Sequence, residues 1–228
     1  MGEFLEDRRH GVGTMLDKAG GKVMYSGCWS EGLYHGQGVY VQRVFKDVMD
    51  GATERKLSSS SIKNTVSTIQ YEGSFFHGMC HGYGTLSDNA IPGGTEYKGT
   101  WSKNKPATGK WRIRFADGSL YSGEATVIQQ MPMRDARRKD FSSLDLLDII
   151  LPCPDGFGTM KYASGDIYVG KFIDGKRNGV GTCKFSNGDH WEGDWLDDSL
   201  HTKGNGTLKL IDGRVYSFYD SSDHNTTT

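Results

Sequence analysis

The densest cluster of chemistry-bearing side chains is His77-Gly-Met-Cys80-His81. Two imidazoles and a thiol this close could begin a metal site, but zinc needs a second ligand pair at a matching spacing, and none follows. The other thiols, Cys28, Cys153 and Cys183, stand far apart and suggest no disulfide framework, so we expect a reduced, cytoplasmic chain. There is no P-loop, no GxSxG and no HExxH. Gly36-Gln-Gly38 and its copies lack the third glycine and the following helix of a dinucleotide fingerprint. The sequence therefore predicts a chain that is not an enzyme and takes no cofactor and no metal. A net charge of -1 supplies no global field for nucleic acid. Positive charge concentrates only at Arg134, Arg137, Arg138 and Lys139, and no apolar run reaches the ~18 residues of a membrane span.

The residues that recur show what must position these groups. Glycine is abundant, 32 of 228 residues, while proline is scarce at 5, which fits many turns or glycines inside strands. An aromatic-x-Gly-x-aromatic unit repeats: Tyr25-Gly27-Trp29, Tyr71-Gly73-Phe75, Tyr97-Gly99-Trp101, Tyr168-Gly170-Phe172 and Trp191-Gly193-Trp195, with Tyr121-Gly123-Ala125 as a weaker copy. Most units continue into Gly-x-Gly: Gly36/Gly38, Gly82/Gly84, Gly156/Gly158, Gly179/Gly181 and Gly204/Gly206. The third unit departs, with Gly109-Lys-Trp111 in that place. Read at period two, Tyr168, Gly170 and Phe172 share one face, as do Gly179, Gly181, Cys183 and Phe185 on the return strand. One face thus alternates rings with bare glycines, so a ring from one strand can lie over the missing side chain of its neighbour. Asn-Gly or Asp-Gly at 117-118, 174-175, 178-179, 187-188 and 212-213 supplies the positive φ of tight turns.

These phased copies resemble the MORN-repeat family, whose units read roughly Tyr-x-Gly-x-aromatic, Gly, His-Gly-x-Gly and Asp/Asn-Gly. The resemblance covers nearly the whole chain outside two insertions. It implies an all-β fold, an elongated antiparallel β-meander solenoid of successive hairpins with the rings on its concave side. We divide residues 1-228 into a partial unit 1-22 and full units at about 23-41, 70-94, 95-118, 119-164, 165-188 and 189-212, with a stub at 213-228. The chain reads as starting inside a repeat, a piece of a longer array or a frayed terminus.

Residues 42-69 form the first insertion, expected as a long hairpin extension or loop. The second, 126-154 inside the fourth hairpin, carries the basic cluster and then Asp140 to Leu151, closed by Pro152. Leu144, Leu147, Ile150 and Leu151 fall on one helical stripe, which predicts one short helical insertion packed on the sheet. The alternative is a docking element for a partner or an anionic membrane, drawing on Arg134, Arg137, Arg138, Lys139, Leu144, Leu147 and Ile150.

The expected function is a non-catalytic scaffold or protein–protein interaction module, cytoplasmic and peripheral to a membrane or the cytoskeleton. Groove candidates for a helix or extended peptide are Tyr25, Trp29, Tyr71, Phe75, Tyr97, Trp101, Tyr168, Phe172, Trp191 and Trp195, although most of these rings should pack on one another between repeats. Open strand edges at the terminal repeats invite a homodimer. The alternative, implied by the resemblance, is a module for phosphoinositides or other acidic phospholipids, as in the regulatory array of a lipid kinase-like protein.

Overall fold

The computed structural model describes residues 2–17, 21–46, 65–89, 92–127 and 150–219. They form one antiparallel sheet of seventeen strands paired in sequence order, except that the two-residue strands Lys105–Pro106 and Ser199–Leu200 pair only with the strand before each, which pairs onward with the strand after it. The hairpins are β1 (Gly2–Leu5) with β2 (Arg8–Leu16), β3 (Val23–Ser30) with β4 (Leu33–Lys46), and β5 (Thr65–Phe76) with β6 (Met79–Asp88). Then come β7 (Thr95–Ser102) with β8 (Lys105–Pro106) and β9 (Gly109–Arg114), β10 (Leu120–Val127) with β11 (Pro152–Lys161), and β12 (Ile167–Ile173) with β13 (Lys176–Lys184). β14 (His190–Leu196) pairs with β15 (Ser199–Leu200) and β16 (Gly206–Lys209), and β17 (Val215–Phe218) follows.

Register is held across the whole sheet. One transverse row runs Met15, Tyr25, Tyr40, Tyr71, Leu86, Tyr97, Ile113, Tyr121, Met160, Tyr168, Cys183, Trp191 and Leu208. Beside it lies a row of facing glycines, Gly13↔Gly27, Gly27↔Gly38, Gly38↔Gly73, Gly73↔Gly84 and Gly84↔Gly99, resuming at Gly123↔Gly158 and continuing to Gly193↔Gly206. A one-residue slip would turn every ring to the opposite face, so this repeated match pins the pairing.

Two kinds of turn close the strands. Within hairpins, the two central residues both take positive φ: Glu6-Asp7, Glu31-Gly32, His77-Gly78, Lys103-Asn104, Asp174-Gly175 and Asp197-Asp198. That is the type I′ geometry whose twist matches the flanking strands. Between hairpins, a five-residue turn recurs at 115–119, 162–166, 185–189 and 210–214, with the first N–H donating to the fifth carbonyl, as in Phe115 to Ser119 at 2.9 Å.

The turns are also stitched sideways. Gly32 N donates to the Arg9 carbonyl, Gly78 N to Tyr34, Asn104 N to Cys80, Gly175 N to Pro154 and Asp198 N to Arg177. On the opposite margin Ser119 Oγ accepts from Ala163 N, Asp166 Oδ1 from Ser186 N and Asp189 Oδ1 from Ile211 N.

At the first insertion the strands run on beyond the tyrosine row, pairing from Tyr40↔Tyr71 out to Lys46↔Thr65. Residues 47–64 lie outside the described residues. At the second, Thr126↔Cys153 and Val127↔Pro152 remain in register, so Pro152, expected to stop a helix, opens a strand instead. The described residues contain no helix. Ile150 and Leu151 carry no helical conformation. Arg134, Arg137, Arg138, Lys139, Leu144 and Leu147 lie outside the described residues. The third and sixth units keep the same two-residue turns as the others but have an interrupted return strand, between β8 and β9 and between β15 and β16.

Candidate functional site

The ring-bearing face is consumed by its own packing. All ten groove candidates are buried, Tyr25, Tyr71, Trp101, Tyr168, Phe172 and Trp191 completely so. The tyrosine of one unit meets the second aromatic of the next edge-on: Tyr25–Phe75 at 5.4 Å, Tyr71–Trp101 at 5.7 Å, Tyr121–Phe172 at 5.2 Å and Tyr168–Trp195 at 5.2 Å. Edge-to-face pairs add about 0.5–1.5 kcal/mol beyond burial. Each tyrosine also lies across a glycine of its own hairpin; a Cβ at Gly38, Gly84, Gly158 or Gly181 would run into the phenol ring of Tyr25, Tyr71, Tyr121 or Tyr168.

The buried polar ends are paired. Tyr25 Oη donates to the Cys28 carbonyl at 2.7 Å, Tyr71 to Ser74 at 3.1 Å, Tyr168 to Lys171 at 2.9 Å, and Tyr121 to Glu124. The indoles of Trp29, Trp101 and Trp195 donate to the carbonyls of Gly13, Gly84 and Gly181. Among the described residues, Trp191 Nε1 is buried with no hydrogen-bond partner, because a tryptophan there lacks the reach of a phenol. Desolvation raises the Tyr168 hydroxyl to about 12, with the Arg177 guanidinium pulling the other way. Burial likewise raises the Cys80 thiol. Such thiols and phenols are structural, held in their protonated and unreactive form.

The histidine cluster is a surface feature. His35 and His81 sit 5.4 and 5.7 Å from the Phe76 ring, and His77, in a turn, lies 4.2 Å from it. Among the described residues no group of three or more His, Cys, Asp and Glu could hold a metal ion.

The opposite face is where side chains remain available. Alternation places Val12, Tyr83, Phe157 and Val180 outward there, each between the two glycines of its repeat and each at least 58% exposed. A polar row crosses the sheet in register: Glu72, Thr85, Lys98, Arg112, Ser122, Thr159, Val169, Thr182 and Glu192. The row beside it runs Glu96, Arg114, Leu120, Lys161, Ile167, Lys184, His190, Lys209 and Val215. Over β7, β9, β10 and β11 the two rows bound a cleft of about 560 Å³, lined by Glu96, Lys98, Arg112, Arg114, Leu120, Ser122, Thr159 and Lys161 among others.

Four cations and one carboxylate line that cleft. Arg114 is tied to the Gly93 carbonyl at 2.9 Å and faces Glu96 across the strands. Lys98 and Arg112 face each other directly, and neither makes an ion pair with a described residue. The sequence reading missed this constellation because its members are scattered from Lys98 to Lys161. The signal was present in the period-two pattern, since each residue stands at a fixed offset from its repeat's ring.

The MORN repeat family model matches residues 1–22, 25–42, 71–89, 154–167 and 168–190. The stretches outside these matches include both units with interrupted return strands. No curated protein matches the chain.

Proposed function

We propose, from the premise that this chain carries MORN repeats at five positions, that it serves as a non-catalytic scaffold, a protein–protein interaction module that organises a complex at a membrane or the cytoskeleton. The observation behind this reading is the division of labour between the two faces. Rings and glycines are spent on holding the hairpins together, whereas the other face stays open with exposed apolar side chains repeating across the strands. Recurrent exposed apolar groups rimmed by polar ones are a mark of interaction surfaces. The partner is a helix or an extended peptide, and a homodimer through terminal repeats belongs to the same reading.

The test is affinity capture from native lysate with the intact chain and with Phe157→Asp plus Val180→Asp. A partner held by the intact chain and lost by the variant supports the proposal. A variant that folds normally and retains every bound protein removes it.

The second reading is a module for phosphoinositides or other anionic phospholipids, favoured by the basic cluster Arg134, Arg137, Arg138 and Lys139. Co-sedimentation with anionic vesicles that is salt-sensitive and abolished by Arg137→Glu plus Arg138→Glu would establish it; absence of co-sedimentation would discard it.

A further inference from the structure

The strongest unexplained feature is the arrangement of cations on the open face. In the row beside the polar one, Arg114, Lys161, Lys184 and Lys209 occupy every second strand, with Leu120, Ile167 and His190 between them. Strands lie about 4.8 Å apart, so the cations recur at roughly 10 Å. Lys161, Lys184 and Lys209 are exposed and form no ion pair with a described residue. At the head of the ladder, Lys98 and Arg112 oppose each other in register. Like charges directly opposite across an antiparallel pair are destabilising. The Tyr83 ring, 6.0 Å from Lys98 Nζ, and Glu96 in the same cleft offset part of that repulsion, and an anion supplied from outside would relieve the rest.

We propose that this face binds an acidic amphipathic helix of a partner protein, laid across the strands from β9 towards β16. An α-helix rises about 1.5 Å per residue, so carboxylates at i, i+7 and i+14 recur at about 10.5 Å, close to the spacing of the ladder. Apolar residues halfway between them, at i+3 or i+4, fall at about half that distance and meet Leu120 and Ile167, which are 46% and 37% exposed. A polyproline segment comes near the cation spacing at about 9.3 Å but places no apolar side chain at the intervening rungs, and an extended segment, with same-face side chains about 6.8 Å apart, does not match the spacing. A carboxylate from the helix also enters the cleft and relieves the Lys98–Arg112 opposition. This inference deepens the interaction-module reading and rests on it: it names the partner's chemistry and the face.

The experiment uses the whole chain and fluorescence anisotropy with a labelled synthetic helix of about 28 residues, four heptads, carrying Glu and Leu in that pattern. Control peptides replace each Glu by Lys. Lys161→Glu plus Lys184→Glu should weaken binding by about tenfold or more, and Lys103→Glu plus Lys203→Glu, in turns, should leave it within about twofold. Added salt should weaken the interaction, because these charges are solvent-exposed. Equal binding of the Lys peptide, unchanged binding by the ladder variant with an unchanged thermal melt, or binding of phosphatidylserine vesicles without binding of the peptide would each overturn the proposal. If a partner captured from lysate is retained by the ladder variant, the scaffold reading stands and only this inference falls.

Discussion

The β5–β6 hairpin and the β7–β9 hairpin solve the same packing problem in opposite directions. In the first, Tyr71 reaches from the outgoing strand across Gly84 of the return strand and donates to the Ser74 carbonyl. In the second, the return strand carries Trp111 where the others carry glycine, and its indole lies back over Gly99 of the outgoing strand. The tyrosine hydroxyl's usual acceptor is then taken: the Thr100 carbonyl accepts from Ala107 N at 2.8 Å, and Trp111 Nε1 donates to the Ala107 carbonyl at 2.9 Å. The reason for the inversion lies one hairpin further on. Trp111 pairs with Gly123 and Gly109 with Ala125, so the indole is a diagonal neighbour of the one unit whose second ring is missing. Each ring needs a vacancy and each vacancy a ring, but which strand supplies which is free to exchange.

The largest effect should come from breaking the inverted hairpin. Trp111→Gly removes a fully enclosed indole, and urea unfolding should show a loss of about 3–5 kcal/mol. Adding Ala125→Phe to that variant restores the ordinary pattern and should recover at least part of the loss, although Ala125→Phe alone overpacks the site. A double-mutant cycle without coupling would mean that the two positions do not compensate each other.

A smaller effect should follow in the regular hairpin. Gly84→Ala forces a methyl group against the Tyr71 ring and should cost about 1–3 kcal/mol by the same measurement. A neutral result would show that the ring is not pinned there.

The smallest change concerns the stitched turns, which the inverted hairpin shares with the regular ones. The Asp166 carboxyl is held below its ordinary value of 3.8, first because it accepts the Ser186 N–H. A depressed folded value means that the contribution is present above the ordinary one and is lost as pH falls through the folded one. Thermal melts below about pH 4 should therefore lose stability less steeply in Asp166→Asn than in the parent chain. Parallel slopes would rule out this turn as a contributor.

The ring and glycine rows were legible in the sequence, because period two and a fixed repeat spacing place Cys183 between Tyr168 and Trp191, with which it pairs. Other features depended on tertiary partners. Asp174-Gly175 is a hairpin turn as its sequence reads, but Asn178-Gly179 lies within β13, where Gly179 faces Trp195, and three other turns use Glu6-Asp7, Lys103-Asn104 and Asp197-Asp198, pairs with weak turn signals. Trp111 was visible as a departure, yet its purpose required knowing that Ala125 lies diagonally opposite. The candidate rings were legible as a set, but their complete burial moved the available surface to the other face. There Lys161, Lys184 and Lys209 become neighbours only once the strands are in register.

The lateral stitches have a grain. In every backbone-to-backbone stitch between hairpins the later hairpin gives the N–H and the earlier one the carbonyl, from Gly32 to Arg9 through Asp198 to Arg177, while Asn104 Oδ1 and Asp198 Oδ1 accept in return from Cys80 N and Arg177 N. At the turns, a block of such hairpins therefore has unlike flanks, one offering spare backbone carbonyls and the other spare backbone N–H groups. Two identical blocks joined head to tail continue these turn bonds, so tandem duplication of a repeat preserves them, whereas a reversed repeat sets like backbone groups of the turns against each other.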